Sequence, residues 1–279
     1  NLIIGDSFML LTKHKTNEGS RWVLDNYFLP SNLDLSSLLE MPREKMFETL
    51  KNISKTESAT GEQEAPIDSY HEVWAAGVTY LRSRDARKEE STVADMYQKV
   101  YDAERPEIFS KSIGWRVSGN NQPIRIRKDS QWNVPEPELV LVINRFNEIV
   151  GYCAGNDVSS RDIEGENPLY LPQAKVYNGS CALGHGIVLC NPDEIKDIPI
   201  HLEIQRNNES VFSGDANTSM MKRGLSELVE FLTRELDFPQ GTFLMTGTCL
   251  VPDNFTLEVD DVVTIQVGEA KITNPVGAR

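Results

Sequence analysis

Glu136 and Glu138 stand two apart in the stretch VPEPELVLVINRFNEIVGYCAGNDVSSRD, residues 134–162. Side chains alternate faces along a strand, so both carboxylates point the same way, about 6.5 to 7 Å apart along the backbone. Val140 and Val142 continue that face into an apolar run. Two like charges at the mouth of a buried face repel each other and lose hydration unless a cation lies between them.

A third carboxylate follows from the turn. ELVLVI and EIVGYCAG flank NRFN, and a hairpin centred near Phe146 pairs residues whose numbers sum to about 292. Residue 138 then faces 154, 136 faces 156, and Asp157 comes beside Glu136. An all-oxygen set without His or Cys suits Mg²⁺, Mn²⁺ or Ca²⁺ rather than zinc. Three protein oxygens leave an octahedral ion about three open positions, room for a bidentate substrate and a water. The same spacing also suits two glutamates on an exposed edge strand, with Asp157 capping the turn before Ser159.

The elements around these residues read as strand-rich. The chain has 279 residues, 39% hydrophobic and 25% charged, enough for one large domain with a small appendage. SKTESATGEQEAP marks an exposed connection, which predicts a small N-terminal domain over 1–70 and a catalytic domain over 71–279. VWAAGVTYL reads as a short buried strand, and the charged stretch that follows is helix-permissive up to Pro106. IRIR, ELVLVI, EIVGYCAG and the tail read as strands. Leu225, Leu228, Val229, Leu232 and Leu236 recur at helical spacing and predict a core-facing amphipathic helix. Runs of strands with few helices favour a β-rich α+β fold over a doubly wound sheet.

Charge narrows the partners. With 42 acidic and 28 basic side chains, the formal charge of −14 argues against nucleic acid or an anionic membrane as partner. A small anionic substrate then needs a local cation. Cys153, Cys181, Cys190 and Cys249 are scattered and indicate neither a zinc ribbon nor a disulfide scaffold, so a reducing cytoplasm is expected. No apolar run reaches the roughly 20 residues of a membrane helix, and the start has no basic region leading into an apolar core. A first residue other than Met is what trimming would leave.

In order and spacing, GVTY, PEPELVLV, GYCAGNDVSSRD, LPQAKVYNGSCALG, LMTGTCLVP and DDVVTIQVGEAKITNPV resemble the fumarylacetoacetate hydrolase superfamily over roughly residues 73–276. The resemblance implies a mixed β-roll or sandwich fold, a homodimer, chemistry on 2-keto acids, and a divalent ion, Mg²⁺ first, held by Glu136, Glu138 and Asp157. Within the superfamily the chain is most similar to the 2-keto-3-deoxy pentonate dehydratases. Carried over by position, Glu107 in ERPEIFSK matches their acid/base glutamate, Lys175 their active-site lysine, and Thr248 in TGT a substrate-contacting threonine. The hydrolases carry a His soon after the G-x-x-Y segment to activate water. GVTYLRSRDARKEES has none, which favours a lyase.

The reaction this implies is dehydration of a 2-keto-3-deoxy pentonate to 2-oxoglutarate semialdehyde and water, through a metal-stabilised enolate. Acylpyruvate hydrolysis, oxaloacetate decarboxylation and isomerisation of 2-hydroxyhepta-2,4-diene-1,7-dioate are the alternatives within the superfamily. A non-catalytic binding protein is the alternative outside enzymes. Arg82, Arg84 and Arg87 could clamp a substrate carboxylate, or form a solvated helix face with Asp85, Glu89 and Glu90. Arg161 reads as a partner of Asp162 or Glu164 in a structural turn. His14, His71, His185 and His201 read as structural, and no motif pairs Ser159, Ser160 or Ser180 with a base.

Overall fold

A computed structural model describes residues 8–82, 84, 85 and 94–278. One ten-stranded sheet organises it. Its order runs Tyr27–Phe28, Gly19–Leu24, Leu10–Thr16, Cys181–Leu189, Ile149–Asp157, Pro137–Ile143, Thr242–Met245, Glu72–Gly77 and Glu107–Ile113, with Glu62–Glu64 also pairing to Leu10–Thr16. Every pairing is antiparallel except Thr242–Met245 with Glu72–Gly77, which is parallel. The N-terminal strands thus join the same sheet as the strands bearing Glu138 and Asp157.

The run ELVLVI is apolar on both sides because both sides are covered. Leu139, Leu141 and Ile143 pack on Ile200, Leu202, Ile204, Val263 and Ile265 of a second, five-stranded sheet. Leu225, Leu228, Val229 and Leu232 of the helix Leu225–Thr233 complete that core. Leu236 does not: the helix ends before it, and it is 41% exposed. Val140 and Val142 face the other core, with Leu35, Leu38, Leu39, Met46 and Leu50 of two short N-terminal helices. The architecture is strand-rich α+β, a layered sandwich. The expected helix before Pro106 is present as Ala94–Asp102, and residues 86–93 lie outside the described residues.

The central hairpin departs from the simple register by one residue. Next to the turn, Ile149 faces Ile143, in keeping with a sum of 292. A bulge at Val150 inserts one residue, so that Gly151 faces Val142, Gly155 faces Glu138 and Asn156 faces Pro137. Asp157 then falls opposite Glu136, and its N–H donates to the Glu136 carbonyl at 3.0 Å. The bulge replaces the expected pairs 138 with 154 and 136 with 156, and it aligns the two acids on one face.

Candidate active site

Glu136, Glu138 and Asp157 are 2%, 1% and 2% exposed. One oxygen from each lies within 4.8 Å of the others, close enough to hold one metal ion. Buried carboxylates this close are stable only with counter-charges or strong donors. Three cations come from three different elements.

Lys111 is fully buried on Glu107–Ile113, a rare position for lysine unless paired. Its Nζ lies 2.6 Å from Asp157 Oδ1 and donates to the carbonyls of Val158 and Lys175 at 3.1 and 2.5 Å. Lys175 ends the helix Leu171–Lys175, and its ammonium donates to Glu136 Oε2, Asp157 Oδ2 and Ser159 Oγ at 2.7, 2.9 and 2.6 Å. Arg161 opens the helix Arg161–Glu166 and donates from Nη2 to Glu136 Oε1 at 2.7 Å. Glu136 and Asp157 therefore share three cations, whereas Glu138 accepts the Gly247 N–H at 2.8 Å.

That asymmetry shows in protonation. Burial, with Asp157 and Glu136 close by, holds the Glu138 carboxyl well above the usual carboxylate range. A divalent cation among the three acids would be the missing partner of Glu138. The donor set, all oxygen, suits a hard ion such as Mg²⁺. The residues present fit the metal.

Backbone conformation sets the walls. Gly247 has φ +96°, and a Cβ there would lie 2.1 Å from Thr79 Oγ1. Only glycine lets this loop present its N–H to Glu138 while Thr79 Oγ1 donates to the Thr246 carbonyl at 2.7 Å. Gly77 is the other case: a Cβ there would lie 2.0 Å from Glu107 Oε2, so the Glu107 carboxylate lies directly over Gly77. Gly77, Phe109, Arg161, Lys175, Gly247 and Thr248 line the pocket with the three acids, and no histidine does among the described residues. The enclosed free volume is about 10 Å³, room for roughly one water.

Of the residues singled out from sequence, Glu136, Glu138, Asp157, Lys175 and Thr248 meet in this pocket, and Glu107 borders it through Gly77. Arg82 and Arg84 bind acids elsewhere: Arg82 reaches Asp253 at 2.9 Å and Arg84 reaches Asp85 at 2.5 Å. Arg87 lies outside the described residues. Arg161 is not a turn residue only, since it lines the pocket and contacts Glu136. Asp162, its expected neighbour partner, accepts from Ser130 Oγ, Ser160 Oγ and the Gln131 N–H. Lys111 was absent from the sequence reading, Ser159 figured there only as a serine without a base, and Gly247 only within the TGT segment. Simple alternation held no signal for Lys111, because it falls at a bulge: Ser110 faces Trp74 and Ser112 faces Val73.

The fumarylacetoacetate hydrolase C-terminal family model matches residues 72–276. A probable 2-keto-3-deoxyxylonate dehydratase of Haloferax volcanii is 47% identical over 216 residues, 76% of this chain and 73% of that protein. The 2-dehydro-3-deoxy-D-arabinonate dehydratase of Saccharolobus solfataricus is 42% identical over 223 residues, 77% of this chain and 74% of that one. A solved 2-keto-3-deoxyarabinonate dehydratase superposes with TM-score 0.85 at 34% identity, covering 97% of this chain and 99% of that chain. Another structure, of 2-keto-3-deoxy-D-arabinonate dehydratase complexed with magnesium and 2,5-dioxopentanoate, superposes with TM-score 0.78 at 32% identity over the same shares. With the match extending over most of its length and the acidic centre in place, the chain belongs to the fumarylacetoacetate hydrolase family.

Proposed function

We propose that the protein is a Mg²⁺-dependent hydro-lyase that converts a 2-keto-3-deoxy pentonate into 2,5-dioxopentanoate, which is 2-oxoglutarate semialdehyde, and water. The observation that carries this reading is the meeting of three buried carboxylates with Lys175 in a pocket whose described lining has no histidine. The 42–47% identity to pentonate dehydratases supports it. Loss of water needs no attacking water, so the absent histidine favours dehydration over acylpyruvate hydrolysis.

Glu136, Glu138 and Asp157 would hold the ion, which supplies Lewis-acid polarisation of the substrate's C2 carbonyl. Lys175 gives a fixed positive charge where negative charge develops as C3 loses its proton. Glu107 would move a proton between C3 and the C4 oxygen, which leaves as water. Transfer of a C5 proton to C3 then gives the enol of the terminal aldehyde, and the sum of the steps is loss of one water. Thr248 would position the substrate by its hydroxyl, and Arg82 and Arg84 would act at the pocket's approach. The reading includes a homodimer, from the family resemblance, acting in the cytoplasm, from the scattered cysteines, with residues 1–70 as an N-terminal unit, from the exposed connection SKTESATGEQEAP. Among the described residues no helix is long and apolar enough to cross a membrane.

Purified protein with 2-keto-3-deoxyarabinonate or 2-keto-3-deoxyxylonate and Mg²⁺ should release 2,5-dioxopentanoate, seen by NMR, and chelation should stop it. No turnover of either acid with metal demonstrably bound overturns the reading.

A further inference from the structure

The chain carries 42 acidic side chains against 28 basic ones, yet one cavity outside the acidic centre is lined by cations. It encloses about 340 Å³, room for a small organic molecule. Arg125, Arg127 and Lys128 line it, and Asp129 is the one acid there. Asp129 is committed to Arg127, whose guanidinium it binds in bidentate fashion at 2.7 and 2.5 Å. Arg125 and Lys128 have no acidic partner among the described residues.

Tyr177 forms a further wall, with the Arg127 guanidinium 5.5 Å from its ring centroid. Its hydroxyl is buried and has no hydrogen-bond partner among the described residues. Two uncommitted cations, Arg125 and Lys128, line this space together with Asn178.

We infer that this cavity is a second ligand site, which takes a small dianion bearing a phosphate group or two carboxylates. Two positive charges match the dianion. The site touches the catalytic apparatus: Arg127 Nη1 donates to the Gln173 carbonyl at 3.1 Å, two residues before Lys175, and Tyr177 follows two residues after it. An anion that draws Arg127 away from Asp129 therefore pulls on the helix that presents Lys175.

The test is calorimetric titration of the full chain, stripped of metal by dialysis so that no ion at the acidic centre competes for the probe. Inorganic phosphate and succinate are titrated separately at low ionic strength. Saturable binding of either or both is expected, with phosphate alone assigning a phosphate group and succinate alone a dicarboxylate. The double variant Arg125→Gln/Lys128→Gln should weaken it at least about tenfold, the scale of hydrogen bonds to charged groups. The single variant Lys128→Gln, at an exposed position that leaves the fold intact, should weaken it severalfold. No saturable binding of either probe into the millimolar range, or unchanged affinity in Lys128→Gln, overturns the inference.

Discussion

Two of the antiparallel hairpins among the described residues differ in what covers them. Pro137–Ile143 with Ile149–Asp157 lies mid-sheet, and every residue is buried. Pro199–Arg206 with Glu209–Asn217 forms one margin of the five-stranded sheet, and its inner strand alternates buried with half-buried residues. Both carry a bulge, and both place ionisable residues two apart on one face: Glu136 and Glu138 in the first, His201 and Glu203 in the second. In the second hairpin His201 meets Asp215, 84% exposed, at 2.8 Å, and water carries most of the charge. In the first, burial keeps the acids from bulk water, and each is matched by a placed cation or N–H. Spacing is common to both; burial is what makes a charge informative.

The comparison breaks most sharply at Glu138. Glu138→Gln keeps the shape and the Gly247 contact but removes a metal oxygen, so turnover should fall by roughly 10³-fold or more, the several kcal/mol that such charge stabilisation supplies. The metal-free variant should melt no lower than the parent, because the lost charge was the one lacking a cation. Added Mg²⁺, which should raise the parent's midpoint, should no longer do so. Glu203→Gln, at the matching place in the second hairpin, should change neither turnover nor melting.

Lys111→Met comes next. It leaves Asp157 with one fewer cation in a dry site and frees the Val158 and Lys175 carbonyls, so unfolding in urea should show a loss of about 3 kcal/mol or more. A loss within the range of exposed pairs, below about 1 kcal/mol, would show that the first hairpin tolerates charge as the second does.

A smaller effect is expected from His71, buried beneath the same sheet. The Asp68 N–H donates to its Nδ1 at 3.2 Å, which leaves Nε2–H to donate to the Gln240 carbonyl at 2.8 Å. Burial holds its pKa below the usual 6.5, because the charged ring would lose hydration and set a second donor against the Asp68 N–H. The unfolded chain therefore takes up the proton first. The contribution of His71 to stability is complete above pH 6.5 and is lost as pH falls from there through the folded pKa. Thermal midpoints measured from pH 7.5 down to 5 should decline with a slope that His71→Gln reduces.

The sequence made the acidic centre legible because its logic is local. Alternation places Glu136 with Glu138, and a short turn brings Asp157 near them. The bulge at Val150 was illegible, since it depends on neighbouring strands on both sides rather than on the turn. Arg161 was read only as a turn residue because Asp162 and Glu164 are its nearest acids in sequence, whereas Glu136, 25 residues away, is the acid that it meets in the pocket. Lys111 was not readable from alternation, because a bulge breaks the period there, and a lysine in a strand is ordinarily half-exposed and draws no notice. Lys175 and Glu107 came to view through resemblance, for nothing in their own spacing links them to residues 136–157. Leu236 kept the helical period past the helix end, where nothing was left to cover it.

The parallel pairing of Thr242–Met245 with Glu72–Gly77 has a consequence in time. The donor that Glu138 accepts from, Gly247, lies 109 residues further along the chain. At ordinary rates of synthesis that separation amounts to roughly 5 to 20 s, during which a nascent chain exposes its acids without the loop that shapes their pocket. Completion of this pocket thus waits on a loop made well after the three acids themselves.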